Sequence, residues 1–119
     1  MTQKQLQTVD DVAAYKPDEN RRFFSADHQE ILAGLTTDIY FVRTSQLLHE
    51  VNLAGTPVVA EVFARRAGVL AGTQEVINLF KDKNITIWAL PEGAEFEPKE
   101  VVMRIEGPYG EFGMYETVL

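Results

Sequence analysis

The chain has 119 residues, of which 45% are hydrophobic and 24% are charged, as is usual for a single globular domain. Its formal net charge of −7 argues against a nucleic-acid partner, which requires a basic face, and the absence of cysteine excludes disulfides and thiolate metal sites. Because no apolar run approaches the roughly 20 residues of a membrane span and the start is polar, we expect a cytoplasmic protein without a membrane partner.

Two short elements are predicted at the start of the chain. Residues 1–24 are polar and contain Pro17, so we predict an N-terminal arm with a short turn over residues 9–15. Ser25 is suited to be the N-cap of a helix over residues 26–33, because its hydroxyl can accept from a free amide of the first turn.

The main helix is predicted over residues 37–52, with Thr37 or Asp38 as its N-cap. The apolar block of residues 39–42 is also compatible with a buried strand, but the polar and leucine-rich continuation favours a helix. One side of this helix repeats at steps of three and four and consists of Tyr40, Thr44, Leu47, Leu48 and Val51.

The second half of the chain alternates strands and a helix. Residues 58–65 alternate in polarity and predict a strand, which a basic turn over residues 65–68 follows. A helix is predicted over residues 73–83, with Asn84 as a left-handed stop. The apolar, β-branched run of residues 85–90 is the clearest strand.

The remaining elements determine the predicted fold class. A short stretch around Phe96 is expected to pair locally, residues 101–106 form a strand, and a helix begins at residue 112. In the strand we expect Val101, Met103 and Ile105 to face the core. Only antiparallel or mixed pairing suits the short link between the last two strands. The prediction is therefore an α+β domain with a small antiparallel or mixed sheet and flanking helices.

The start of the main helix carries the strongest candidates for chemistry. Thr37, Asp38 and Tyr40 place a hydroxyl, a carboxylate and an aromatic ring within one turn. Such a group can hold a small, flat, anionic ligand, whereas the alternative is a capped helix followed by a core aromatic residue.

Several ordered blocks of the sequence resemble nicotinate phosphoribosyltransferase, the enzyme that joins nicotinate to phosphoribosyl pyrophosphate on the way to NAD. Together they cover about residues 21–119, which is far more specific than any single motif. The blocks are residues 22–30, 36–44, 69–72, 89–93, 104–109 and 111–117.

The resemblance implies roles for the candidate residues. In this family the Thr-Asp-x-Tyr region is carried by one subunit of a homodimer and reaches the active site of the other. It implies that Tyr40 stacks on the pyridine ring and that Thr37 lies at the same substrate site. Because like charges repel, we expect Asp38 not to bind the nicotinate carboxylate directly but to hold Tyr40 or an arginine of the partner subunit. It also implies that Arg65 or Arg66 binds phosphate across the dimer, whereas the alternative for this pair is a solvated basic turn.

The resemblance also implies how the chain is organised. We expect an arm over residues 1–24, the N-terminal domain of a type II phosphoribosyltransferase over residues 25–110, and over residues 111–119 a helix leading into an absent α/β barrel. In this family the barrel holds most catalytic groups, and Mg²⁺ and ATP are expected for the complete enzyme. No residue here matches the catalytic or metal-binding groups, and neither His28 nor His49 is expected to bind metal. The 119-residue chain alone is therefore predicted to be an inactive piece of a longer protein.

A different class of function stays open, namely a stand-alone small-molecule-binding or protein-interaction module without catalysis. The strands around residues 90–107 resemble lipoyl and biotinyl carrier domains, in which a lysine in the hairpin takes the cofactor. Arg104 stands near the comparable place here, and a guanidinium cannot be acylated in that way, so the carrier hypothesis fails.

Overall fold

The computed structural model describes residues 5–16 and 26–119, which divide into two compact units. The first unit comprises the described residues up to Ala54 together with Phe112–Leu119, and the second comprises Gly55–Glu111. Within the described ranges, no helix combines the length and the apolar character needed to cross a membrane.

The first unit is helical. Helix α1 spans Val9–Ala14, α2 spans His28–Leu32, α3 spans Ile39–Glu50, and a 3₁₀ helix spans Gly113–Val118. Helix α1 lies where the sequence predicts a turn. The predicted cap Ser25 lies outside the described residues, and the Asp27 side chain caps α2 instead by accepting from the Glu30 amide at 2.9 Å.

Long-range hydrogen bonds hold these helices together. The Val9 amide at the start of α1 donates to the Gln46 side chain of α3 at 3.1 Å. In the 3₁₀ helix, the hydroxyl of buried Tyr115 donates to the carbonyl of Leu32 at 3.1 Å. These contacts tie α1 to α3 and α2 to the last segment of the chain.

The second unit is built on an antiparallel sheet. Strands β1 (Pro57–Phe63), β5 (Val101–Pro108) and β3 (Thr86–Ala89) lie in the order β1-β5-β3, so that the last strand is central. Strand β2 (Gly68–Val69) pairs with β4 (Glu95–Phe96) in a separate ribbon, and helix α4 spans Thr73–Phe80. The chain then enters the short helix α5 over Tyr109–Phe112. The predicted α+β class with a small antiparallel sheet and flanking helices is confirmed.

The core of the second unit follows from this strand order. Met103 and Ile105 of the central strand are buried as predicted, whereas Val101 is only partly buried. Val102 is buried as well, and it lies where the β1–β5 register shifts between Val62 and Phe63, which interrupts the simple alternation of buried and exposed residues. Leu79 and Phe80 of α4 are the other large buried side chains of this unit.

The predicted end of the helix over residues 73–83 is wrong. Helix α4 ends at Phe80, and the Lys83 amide closes a turn on the Phe80 carbonyl, so Asn84 is not a left-handed stop. Among the described residues other than glycine, positive φ occurs at Asn52 and Lys99. The segment after residue 112 is a 3₁₀ helix, and the preceding α5 is a single turn.

The close approach of β5 to the loop before β3 makes a first prediction. A Cβ at Gly107 (φ +153°) would lie 2.8 Å from the Asn84 carbonyl oxygen, whereas a Cβ at Gly55 would meet nothing within 4 Å. We expect Gly107→Ala to lower the free energy of unfolding by about 1–3 kcal/mol, measured by urea denaturation. The control Gly55→Ala should stay within about 0.5 kcal/mol of the parent, and equal effects of the two substitutions would contradict this account.

Candidate functional site

The start of α3 is held by the carboxylate of Asp38. This residue has extended backbone angles (φ −88°, ψ 148°), and its Oδ1 accepts from the Tyr40 amide at 3.0 Å. The Asp38 carbonyl accepts from the Phe41 amide at 3.0 Å, and this bond closes the first turn of the helix. Of the two caps that the sequence allows, the structure therefore selects Asp38.

Tyr40 projects from this first turn into solvent. Its side chain is 69% exposed, whereas Val42 of the same helix is 1% exposed and anchors the opposite side. The Tyr40 carbonyl accepts from the hydroxyl of Thr44 at 2.8 Å, so the backbone that carries the ring is bonded on both sides. The alternative of a core aromatic residue does not apply, because the ring is accessible.

Exposure continues along the predicted apolar side of α3. Leu47 is 58% exposed and Val51 is 50% exposed. Regular spacing shows that these side chains share one side of a helix, but it does not show which side is buried.

Thr37 occupies a different environment from Tyr40. Its Oγ1 is buried, and it has no hydrogen-bond partner in the part of the chain that the structure describes. Its amide donates to the Gly34 carbonyl at 3.4 Å, within the turn that joins α2 to α3.

Arg65 and Arg66 lie in the bend between β1 and β2. Both side chains are exposed, and across residues 5–16 and 26–119 neither has a hydrogen-bond or ion-pair partner. They belong to the second unit, whereas Tyr40 belongs to the first. Their guanidinium groups are available to an anion.

Sequence reasoning missed one surface of the second unit. Arg104 of β5 lies between Glu61 of β1 and Trp88 of β3 in the antiparallel register, and its Nε donates to Glu61 at 2.9 Å. The indole is 53% exposed. A depression of about 310 Å³ lies beside this row, with Leu90 and Val102 in its lining. The alternating polarity of each strand indicates on which face of the strand these side chains lie, but only the register between strands brings them together.

At the start of α4, backbone amides donate to a side chain of the same chain. The Glu92 carboxylate accepts from the Gly72 amide at 3.2 Å and from the Gln74 amide at 2.9 Å. Two amides at this helix start are thus occupied by a side chain that follows about 20 residues later. Within the described ranges, no three or more His, Asp or Glu residues come together as a metal site.

Comparison with known proteins identifies the family. Residues 38–119, more than half of the chain, match the family described as quinolinate phosphoribosyl transferase, N-terminal domain. The chain belongs to this family.

A solved structure supports the membership. The nicotinate-nucleotide pyrophosphorylase of Pyrococcus furiosus is 43% identical and superposes with a TM-score of 0.75 over 83% of this chain. The chain spans only 27% of that protein's length. The nicotinate-nucleotide pyrophosphorylase of Francisella tularensis matches over 80% of this chain and 36% of its own, with 20% identity and a TM-score of 0.46.

Family membership corrects the resemblance on one point. The match is to the quinolinate phosphoribosyltransferase family through its N-terminal domain, and not specifically to nicotinate phosphoribosyltransferase. The broader prediction, the N-terminal domain of a type II phosphoribosyltransferase, is confirmed. The match begins at Asp38, the residue that caps α3.

The cap itself can be tested. Asp38→Ala removes the acceptor for the Tyr40 amide and is expected to cost about 1 kcal/mol of folding free energy, measured by urea denaturation. Asp38→Asn keeps a side-chain oxygen and should lose only a few tenths of a kcal/mol. If the asparagine variant were as unstable as the alanine variant, hydrogen bonding at the cap would not be the cause.

Proposed function

We propose that this domain works in a phosphoribosyltransferase that acts on a pyridine carboxylate. In the reaction, the lone pair of the ring nitrogen forms a bond to C1 of the ribose of phosphoribosyl pyrophosphate, while the bond from C1 to the pyrophosphate oxygen breaks. Pyrophosphate leaves with that electron pair, and the product is a pyridine mononucleotide. This reaction belongs to the synthesis of NAD.

The observation that carries the proposal is the exposed ring of Tyr40. A tyrosine at 69% exposure on the first turn of a capped helix presents a flat, rigid face. Stacking of a nitrogen heterocycle on such a face contributes about 1–3 kcal/mol by analogy with nucleobases. In a chain of this family, a pyridine is the fitting occupant, and we propose that it belongs to the active site of a second subunit in a homodimer.

Two substrates fit the proposal. The sequence resemblance favours nicotinate, whereas the family description names quinolinate. Transfer to nicotinate releases pyrophosphate alone, whereas quinolinate must also lose its 2-carboxyl group as CO₂ to give the same nucleotide. Incubation of the complete enzyme with each acid and phosphoribosyl pyrophosphate, with CO₂ and nucleotide both quantified, separates the two substrates. Formation of no nucleotide from either acid would overturn the proposal.

Mg²⁺ and ATP stay expectations for the complete enzyme. The described residues hold no cluster of carboxylates or imidazoles for a divalent cation. We therefore assign neither group to this domain, and no step of the proposal depends on them. The prediction that the 119-residue chain alone is inactive stands with the proposal.

Removal of the Tyr40 ring should weaken substrate binding without affecting the fold. In the complete enzyme we expect Tyr40→Ala to raise KM for the pyridine acid by about 5- to 100-fold, the range that stacking supplies, in steady-state kinetics. Because the side chain is largely exposed, the unfolding midpoint should not move.

The matched control is Tyr40→Phe, which keeps the ring face and removes only the hydroxyl. It should retain KM close to that of the parent. Unchanged kinetics in Tyr40→Ala would remove this residue from the site. A rise in KM in Tyr40→Phe equal to that in Tyr40→Ala would show that the hydroxyl matters instead of stacking.

Arg65 and Arg66 are proposed to contact phosphate. Both are exposed cations without a partner in the described part of the chain, and planar guanidinium groups suit phosphate oxygens. We expect Arg65→Met or Arg66→Met to raise KM for phosphoribosyl pyrophosphate by about 10-fold or more, with KM for the pyridine acid unchanged. Parent-like kinetics in both variants would support a solvated basic turn.

A further inference from the structure

Arg43 lies one helical turn after Tyr40 and has no role in the site described so far. Its side chain is exposed. Throughout the described residues it takes part in no hydrogen bond or ion pair. Arg65 and Arg66 are unpaired as well, but Arg43 is the one of these three that lies on α3 with Tyr40.

The positions of charge along α3 explain why Arg43 stays free. A helical side chain meets its neighbours three and four residues away, and those of Arg43 are Ile39, Tyr40, Gln46 and Leu47. None of them is acidic. The nearest carboxylate on its N-terminal side, Asp38, is engaged with the Tyr40 amide.

Helix geometry places Arg43 on the same side of α3 as Tyr40. Residues three apart lie on one side of a helix, with about 5–6 Å between their Cβ atoms. Both side chains are exposed, whereas Val42 between them in sequence is buried on the other side. The first two turns of α3 therefore present a flat ring and a planar cation to solvent on one side of the helix.

We propose that Arg43 binds the carboxylate of the pyridine ring that stacks on Tyr40. This inference rests on the proposed function, and it adds the group that selects an acid over an amide. A guanidinium donates two parallel hydrogen bonds to a carboxylate, so Arg43 supplies charge and orientation together. It also resolves an electrostatic difficulty, because the Asp38 carboxylate at the same helix start repels an anionic substrate and cannot bind it directly.

The proposal makes Arg43 a specificity residue and not a structural one. Nicotinamide has the same ring but carries no charge, so it stacks on Tyr40 without gaining an ion pair. Loss of the cation should therefore weaken binding of the acid and leave binding of the amide unaffected. A structural role would instead change both.

The test uses the complete enzyme with Arg43→Met and Arg43→Lys. For Arg43→Met we expect KM for the pyridine acid to rise about 10- to 100-fold, the range for hydrogen bonds to charged groups. The inhibition constant of nicotinamide and KM for phosphoribosyl pyrophosphate should stay within twofold of the parent values. The unfolding midpoint should not change. For Arg43→Lys, KM for the acid should lie between those of the parent and of Arg43→Met, because lysine keeps the charge but cannot donate two parallel hydrogen bonds as the guanidinium does.

Contrary outcomes overturn the inference. They are an unchanged KM for the acid in Arg43→Met, or an equal loss of affinity for acid and amide. Lys81→Met, which removes an exposed cation after α4, serves as the reference for a general loss of positive charge and should leave KM for the acid within twofold of the parent value. Absence of transfer by the parent enzyme with both nicotinate and quinolinate would refute the proposed function itself, independently of Arg43.

Discussion

The hydrogen bond from the Tyr40 amide to the Asp38 carboxylate is the interaction on which the candidate site depends. It satisfies one of the free amides at the start of α3 and thereby sets where the helix begins. Since Val42 is buried, the direction of that first turn is also set. Tyr40 and Arg43 are then presented to solvent by the backbone itself, and neither side chain needs a contact of its own to hold that direction.

The chain's own side chains close the starts of its first four helices. Thr8 caps α1, Asp27 caps α2, Asp38 caps α3, and Glu92 accepts from the amides at the start of α4. Helix starts are common anion sites in proteins, but here some of their amides are engaged internally. For the proposed anionic substrate, exposed cationic side chains are therefore the better binding groups. This agrees with the proposed roles of the exposed arginines, which act through charge and planar geometry instead of backbone amides.

Each unit also exposes apolar side chains that a folded chain ordinarily buries. In the first unit these lie along α3, and in the second Val59, Phe63 and Trp88 project from the sheet. Exposed apolar surface is characteristic of regions that contact a ligand or another protein. Tyr40 belongs to this group, which is consistent with a ring that acts on a bound pyridine and does not serve its own core.

The sequence by itself determined the α+β class, the long helix after Asp38, and the strands around Ile87 and Met103, because periodicity and cap chemistry are local properties. It also drew attention to the first turn of α3. Only the tertiary structure decided that the Tyr40 side of that helix is exposed, since a repeat of three and four does not say which side meets the core. Likewise, only the strand register brought Glu61, Arg104 and Trp88 into one row, because pairing between distant strands depends on packing that no local pattern records.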